Sequence, residues 1–342
     1  MIIKRIHLKN FTVFEDHKIE FVPGIDVFTG TNGTGKIHLL KVLYSACQSV
    51  SPKTAFAHKL VLTMLPDDYR ISRLVTRKPG SHQALIRIVA SAPDRSQERI
   101  ITASFHGSTK KWEAEVTGED GWEGSYAGLS SIFIPAKEIL SHSYNLNAAA
   151  EKNNVVFDDT CQDILNAAKV DISTESSTSS KDALLRKIQQ ITHGKVQYDI
   201  KQDEFYLING RSRLEFNLVA EGIRKLSLLW QLVKNGTLEK GSILFWDEPE
   251  ANICPTHIPI ITEILLELQR HGVQVFLATH DYLTASYFDV KKTPSDNVVY
   301  HSLSIEYSTG ILQYEKADKF ADLKNNAIID AYNRLLDVIY DL

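Results

Sequence analysis

The chain has 342 residues, 43% of them hydrophobic and 23% charged, with a formal net charge of −4 and an isoelectric point near 6.3. That length supports a sizeable core in one large α/β domain or two smaller ones, and the slight acidity excludes a globally basic nucleic-acid coat while allowing a local patch. Cys47, Cys161 and Cys254 form no C-x-x-C pair, and no stretch approaches the roughly 18 apolar residues of a membrane span, so a reducing compartment, no zinc site and a cytoplasmic location are expected.

In chain order, "IIKRIHLKNF" and "HKIEFVPGIDVFTG" alternate with period two and predict strands broken at Pro23-Gly24. "GTNGTGKIHLL" (30–40) follows and opens onto a helix from about His38 to Gln48. Residues 51–80 are mixed and carry a basic cluster, Arg70, Arg73, Arg77 and Lys78. "ALIRIVASA", "RIITASFHG" and "KWEAEV" read as antiparallel strands, and "SSIFIPAKEIL" as a buried strand stopped by Pro135 with a helix start behind it. Residues 145–170 have helical spacing, and the Ser/Thr-rich "DISTESSTSSKD" (171–182) reads as a mobile loop.

"KVQYDIKQDEFYLINGRSRLEFNLV" predicts a hairpin turning at Asn209-Gly210. The helix "EGIRKLSLLWQLVKNG" ends at a C-cap glycine. "GSILFWDEPEA" is an apolar strand ending in two acids, followed by a helix over 256–271, a buried strand "VQVFLATH" and a helix from near Tyr282. "NVVYHSLSIEYSTGILQYEKA" is a late hairpin, and "DLKNNAIIDAYNRLLDVIYDL" a closing amphipathic helix. Strand–helix alternation around apolar strands implies a mostly parallel sheet with helices on both faces, and the meandering strands an added antiparallel sheet.

Three stretches carry chemistry. Gly30, Gly33 and Gly35 let the loop curl so that backbone N–H groups converge on phosphate oxygens, at a helix start whose dipole end is positive, and Lys36 would reach the outer phosphates as a point charge. The strand of "ILFWDEPEA" delivers Asp247 and Glu248 to its carboxyl end, where open α/β sheets bind ligands; one carboxylate can hold Mg²⁺ and the next can take a proton from attacking water. "VFLATHD" ends a further buried strand at His280, which could hydrogen-bond a terminal phosphate or the attacking water. Trp112, Trp122, Trp230 and Trp246 read as core or interface residues, and Cys254, His257 and His271 lack metal-ligand spacing.

Together these stretches resemble the ATP-binding-cassette type of nucleotidase, in its soluble branch with RecF and the SMC heads, and within it the RecF-like bacterial "AAA family ATPase" group. In order, "GTNGTGKI" resembles a Walker A loop, "LVAEGIRKLSLL" a signature region, "ILFWDE" a Walker B strand, "PEANICP" a D-loop and "ATHD" an H-loop. The resemblance implies one α/β P-loop head over 1–342. Its nucleotide-binding core would comprise 1–50 and 215–342, and 51–214 would form an inserted antiparallel and helical lobe. It also implies an ATP-sandwich homodimer, in which Asn32, Gly33, Thr34, Gly35, Lys36 and Ile37 of one subunit face Ala220, Glu221 and Gly222 of the other. Asp247 would help hold Mg²⁺, Glu248 would act as general base, His280 as the H-loop switch, and Asn252 as a D-loop contact.

Departures from the pattern bear on activity. The signature reads "AEGIRKL" rather than an LSGGQ-like run, no glutamine is assignable to a Q-loop, and "IFIPAKEIL" stands where one could lie, with the roles of Lys137 and Glu138 left open. At Ile37 the pattern expects Ser or Thr, whose hydroxyl ligates Mg²⁺; a branched alkyl chain has no lone pair, and water would have to substitute. Slow hydrolysis is therefore expected. No sustained heptads predict coiled-coil arms, and the missing LSGGQ-like run and Q-loop disfavour a transporter domain. The resemblance implies a switch subunit that regulates a separately encoded effector, a nuclease or toxin, in anti-phage defence. The alternatives are a DNA-repair or DNA-end-binding ATPase using the Arg70, Arg73, Arg77 and Lys78 cluster, and a pseudo-ATPase for which ATP is a structural ligand.

Overall fold

In a computed structural model, residues 1–92, 97–142, 157–170, 179–306 and 308–340 are described. The chain opens with the antiparallel strands β1 (Ile2–Phe11) and β2 (Phe14–Glu20), passes into β3 (Ile25–Gly30), and then forms α1 (Lys36–Gln48) and α2 (Phe56–Met64). Strands β4 (Gln83–Ser91), β5 (Glu98–His106) and β6 (Glu115–Thr117) precede α3 (Glu119–Tyr126) and β7 (Ser131–Ile134). Helices α4 (Asp159–Lys169) and α5 (Ser179–Thr192) lead to β8 (Lys195–Asp199), β9 (Glu204–Asn209) and β10 (Ser212–Glu215). The last part alternates α6 (Glu221–Lys234), β11 (Ile243–Asp247), α7 (Ile258–Arg270), β12 (Gln274–Thr279) and α8 (Tyr282–Lys291), then adds β13 (Val298–Ile305), β14 (Leu312–Ala317) and α9 (Ala327–Tyr340).

These strands build three sheets. A six-stranded sheet runs β14-β13-β3-β12-β11-β7, parallel throughout except for β14 at its edge. A five-stranded antiparallel sheet runs β2-β1-β4-β5-β6, and a three-stranded one β10-β9-β8. Strands β3, β11 and β12 are buried along their whole length because both faces of the central sheet are covered. Alternate residues feed two apolar clusters: Leu244, Trp246, Val275 and Leu277 join α6 and α7 on one side, while Phe245, Phe276 and Phe28 join α1 and the antiparallel sheet on the other.

The expected α/β architecture is present: a mostly parallel core sandwiched by helices, with added antiparallel strands and a helical lobe. Several local readings change. Strand β7 completes an edge of the central sheet although it lies within 51–214, and β1 and β2 belong to the antiparallel sheet although they lie within 1–50, because pairing follows buried faces rather than chain position. The hairpin read at Asn209-Gly210 is two hairpins, with a further turn between β8 and β9. Residues 145–156 and 171–178 lie outside the described residues, and Ser179–Asp182, read as loop, begin α5. Behind Pro135, Leu140–His142 form a single 3₁₀ turn. Among the described residues no helix is long and apolar enough to cross a membrane.

Candidate functional site

The loop between β3 and α1 turns on glycines in the left-handed region, Gly33 (φ 81°) and Gly35 (φ 88°). Gly35 has a second constraint: a Cβ there would come within 2.6 Å of Val13 Cγ2 and 2.9 Å of Phe14 Cε2, so only glycine fits without displacing the β1–β2 turn. Asn32 and Gly33 are exposed at the loop tip, while Thr34 is buried and donates its hydroxyl to the Thr31 carbonyl at 2.9 Å. The Lys36 ammonium curls back to donate to the carbonyls of Gly30 (2.7 Å) and Thr31 (2.8 Å). Burial lowers its pKa, opposed by the charges of Asp247, Glu248 and Glu250. Ile37, on the next position of α1, is half-buried and packs against the apolar cluster beneath that helix.

Strands β3, β12 and β11 are consecutive in the central sheet and parallel, so their carboxyl ends bring Lys36, His280 and Asp247 to one edge. Asp247 is buried at the end of β11, and its pKa is pushed up to about 6, first by burial and then by the neighbouring charge of Glu248. Glu248 adopts a left-handed backbone (φ 47°), its N–H donates to the Ala278 carbonyl at 2.9 Å, and its Oε1 lies 3.2 Å from His280 Nδ1. A non-glycine residue held at positive φ stores strain of the kind concentrated at functional sites. A buried carboxylate raised towards neutrality beside a second acid fits a divalent cation, whose charge would offset the repulsion between the two acids and favour the ionised form despite burial. Ile37 supplies no oxygen to such an ion.

Ala220, Glu221 and Gly222 open α6, with Glu221 in the first turn where its charge complements the helix dipole. Gly222 lies against the turn after β11: a Cβ there would sit 2.5 Å from the Asn252 carbonyl oxygen. Asn252 is itself left-handed (φ 62°). Lys225, one turn further along α6, is almost wholly buried and donates to the Ala251 carbonyl at 2.9 Å, with Glu248 O at 3.5 Å. Burial lowers its pKa against the pull of Glu221, Glu250, Glu248 and Asp247. In this chain, then, the signature-like residues contact the D-loop-like turn.

Glu138 faces inward: its Oε2 accepts from Arg224 Nε at 2.6 Å and its Oε1 from the Ser141 N–H at 3.2 Å, tying the segment after β7 to α6. In the basic cluster, Arg73 pairs with Asp67 (2.6 Å), Lys78 with Glu15 (2.5 Å) and, more loosely, Arg70 with Asp68 (3.8 Å), while Arg77 is exposed. Sequence reasoning missed Glu250, Thr279, Lys225 and Asn326. The last was legible as an Asn just ahead of helical apolar spacing, an N-cap signal; the others acquire meaning only through contacts distant in the chain.

A glycine loop and lysine, two acids and a histidine on adjacent parallel strands give the chain the layout of a P-loop head of the ABC type, the fold of the SMC heads. The chain belongs to the family described as "AAA domain, putative AbiEii toxin, Type IV TA system", whose profile matches residues 27–286. It is similar to the DNA double-strand break repair Rad50 ATPase of Archaeoglobus fulgidus, 32% identical over 85 residues that make up 21% of this chain and 10% of that protein. It is also similar to the DNA replication and repair protein RecF of Lactococcus lactis subsp. cremoris (strain MG1363), 34% identical over 61 residues, 18% of this chain and 17% of that protein. The matches thus span less than a fifth of either relative. Among solved structures, an SMC head bound to the C-winged helix domain of ScpA aligns with TM-score 0.61 at 15% identity, over 93% of this chain and 98% of that one. The SMC head domain from Thermotoga maritima aligns with TM-score 0.53 at 14% identity, over 93% and 99%.

Proposed function

We propose that this chain binds ATP with Mg²⁺ at the loop of residues 30–36, and that two copies close over the nucleotides as a switch acting on a separately encoded effector. The observation that carries this reading is the meeting of Lys36, His280 and Asp247 at the ends of three adjacent parallel strands. Lys36 and the loop amides hold the phosphates, Asp247 helps hold Mg²⁺, which supplies charge neutralisation at the outer phosphates, and Glu248 takes the proton of the attacking water. His280, beside Glu248, serves as the switch that senses the terminal phosphate. Ala220, Glu221 and Gly222 reach the partner's loop, and Asn252 lies at the subunit contact. Residues 1–50 and 215–342 provide most of this core and 51–214 most of the inserted lobe.

Ile37 makes the switch slow, because water must replace a protein oxygen on Mg²⁺. A slowly hydrolysing dimer holds its closed state for longer, which suits gating of a partner better than rapid turnover. The toxin wording in the family description supports a defence role with a nuclease or toxin as effector. The test is Glu248→Gln with ATP and Mg²⁺, followed by light scattering and turnover. The reading expects a stable nucleotide-dependent dimer and lost hydrolysis; a monomer that hydrolyses ATP at the native rate overturns it.

A second reading, a DNA-repair or DNA-end-binding ATPase, is favoured by the names of the Rad50 and RecF relatives. Carboxylate partners for Arg70, Arg73 and Lys78 weigh against it. Steeply salt-dependent DNA binding lost on Arg77→Ala supports it, and absence of binding at low salt removes it. The third reading, a pseudo-ATPase, is the outcome in which nucleotide binds and neither the native chain nor Ile37→Ser turns it over.

A further inference from the structure

Glu250 stands two residues beyond Glu248 on the bend that leaves β11, and its carboxyl points inward. Its Oε1 accepts a hydrogen bond from the Thr279 hydroxyl at 2.6 Å, while its Oε2 is shut off from solvent with no partner among the described residues. A buried carboxyl oxygen left unpaired is costly, so such a group persists where the rest of the side chain has a task. Burial pushes its pKa up to about 7, against the Thr279 hydrogen bond that lowers it.

The other end of that hydrogen bond identifies the task. Thr279 is the last residue of β12 and fully buried; its hydroxyl oxygen also accepts from the Asp281 N–H at 3.0 Å. Asp281 in turn caps α8, accepting from the Thr284 N–H at 2.7 Å and the Thr284 hydroxyl at 2.8 Å. The residues on both sides of His280 are therefore fastened through one hydroxyl, and Glu250 orients that hydroxyl. His280 carries its ring on the bend between them, 3.2 Å from Glu248.

We propose that Glu250 is a positioning residue for His280: through Thr279 it sets the bend that holds the imidazole against Glu248. The role in turnover rests on the nucleotide-site reading above; the positioning itself does not. Two side-chain ties then join the turn after β11 to the end of β12, beside the backbone bond from the Glu248 N–H to the Ala278 carbonyl: one between the acting side chains, Glu248 and His280, and one beneath them, Glu250 and Thr279. The lower tie is anchored on the fully buried Thr279, and fixing the bend lowers the entropy lost when the upper pair engages a phosphate.

The experiment uses the full chain with Glu250→Ala, Glu250→Gln and Thr279→Val. Gln keeps an oxygen for the Thr279 hydroxyl, Ala removes it, and Val keeps the shape of Thr279 without the hydroxyl. Histidine-selective ¹⁵N–¹H NMR, with His280 signals assigned by their loss in His280→Gln, reads the ring directly and needs no turnover. Displaced His280 ring signals in Glu250→Ala and Thr279→Val, with native-like signals in Glu250→Gln, are expected. Unmoved signals in the first two, or equal displacement in all three, overturn the proposal.

In parallel, Mg²⁺-dependent turnover should fall roughly 10- to 100-fold in kcat for Ala and Val with KM held, as for a displaced catalytic group, and recover in Gln. Loss confined to KM overturns the positioning role. If the native chain hydrolyses no more ATP than Lys36→Ala, the hydrolytic part of the reading fails, and the ring signals still decide whether Glu250 positions His280.

Discussion

Asn326 donates its side-chain amide to Thr29 Oγ1 over 2.7 Å, joining the residue just ahead of the phosphate-loop glycines to the start of the last helix. The same side chain donates to Ser302 Oγ at 3.2 Å and, through Oδ1, accepts from the N–H groups of Ile328 (3.0 Å) and Ile329 (3.3 Å). Asn326→Ala removes a helix cap and leaves buried hydroxyls short of a partner, so a loss of about 2–4 kcal/mol is expected in denaturant unfolding. Asn326→Asp keeps the cap and loses only the donors, and should lie between. Nucleotide affinity should fall in both if Thr29 sets the strand from which the loop springs.

Ile37→Ser offers Mg²⁺ the oxygen that Ile37 lacks. Mg²⁺-dependent turnover should rise by about tenfold, the scale on which partners of a metal site act, while nucleotide affinity measured in EDTA stays unchanged. Equal turnover in the two proteins would sink the missing-ligand account.

The pH response follows from Asp247, whose pKa near 6 exceeds its ordinary value of 3.8. Between those two values the folded chain keeps a proton that the unfolded chain has lost, so stability declines as pH rises through this window. The decline amounts to about 3 kcal/mol at 1.36 kcal/mol per unit. Asp247→Asn should flatten that part of the stability profile. Mg²⁺ requires the ionised form, so Mg²⁺-nucleotide affinity should weaken as pH falls below about 6. Calorimetric titrations between pH 5 and 8 read both effects.

Arg224 and Glu138 form a largely buried pair, with side-chain exposures of 15% and 2%. Arg224→Ala strands the Glu138 charge and should cost about 3–5 kcal/mol, whereas adding Glu138→Gln should recover part of that loss. A double-mutant cycle in urea measures the coupling.

Gly222→Ala forces a methyl to within 2.5 Å of the Asn252 carbonyl oxygen, so α6 or the turn must move. Overpacking of this kind costs about 1–3 kcal/mol. A larger effect is expected on ATP-driven dimerisation, followed by light scattering, because both moving parts belong to the proposed subunit contact.

The motifs of the core were legible because each combines a short buried strand with an abrupt change of chemistry: Gly35-Lys36 after β3, Asp247-Glu248 at the end of β11 and His280 after β12. Their adjacency was not, since strand order depends on which edges pair across hundreds of residues. β7 shows this most plainly: its four residues carry no periodic signal that separates a core edge from an inserted lobe. α3 escaped because "EDGWEGSY" holds two glycines and only two buried side chains, Trp122 and Tyr126. Glu250 escaped because an acid two positions after an acid looks like surface until Thr279 is seen beneath it.

Strand β3 is flanked by β13 and β12, both drawn from the last quarter of the chain. During synthesis the strand ahead of the phosphate loop therefore has neither of its sheet neighbours until residues 274–305 have left the ribosome. If the loop holds nucleotide as proposed, capture waits on strands encoded more than two hundred residues downstream of the glycine motif.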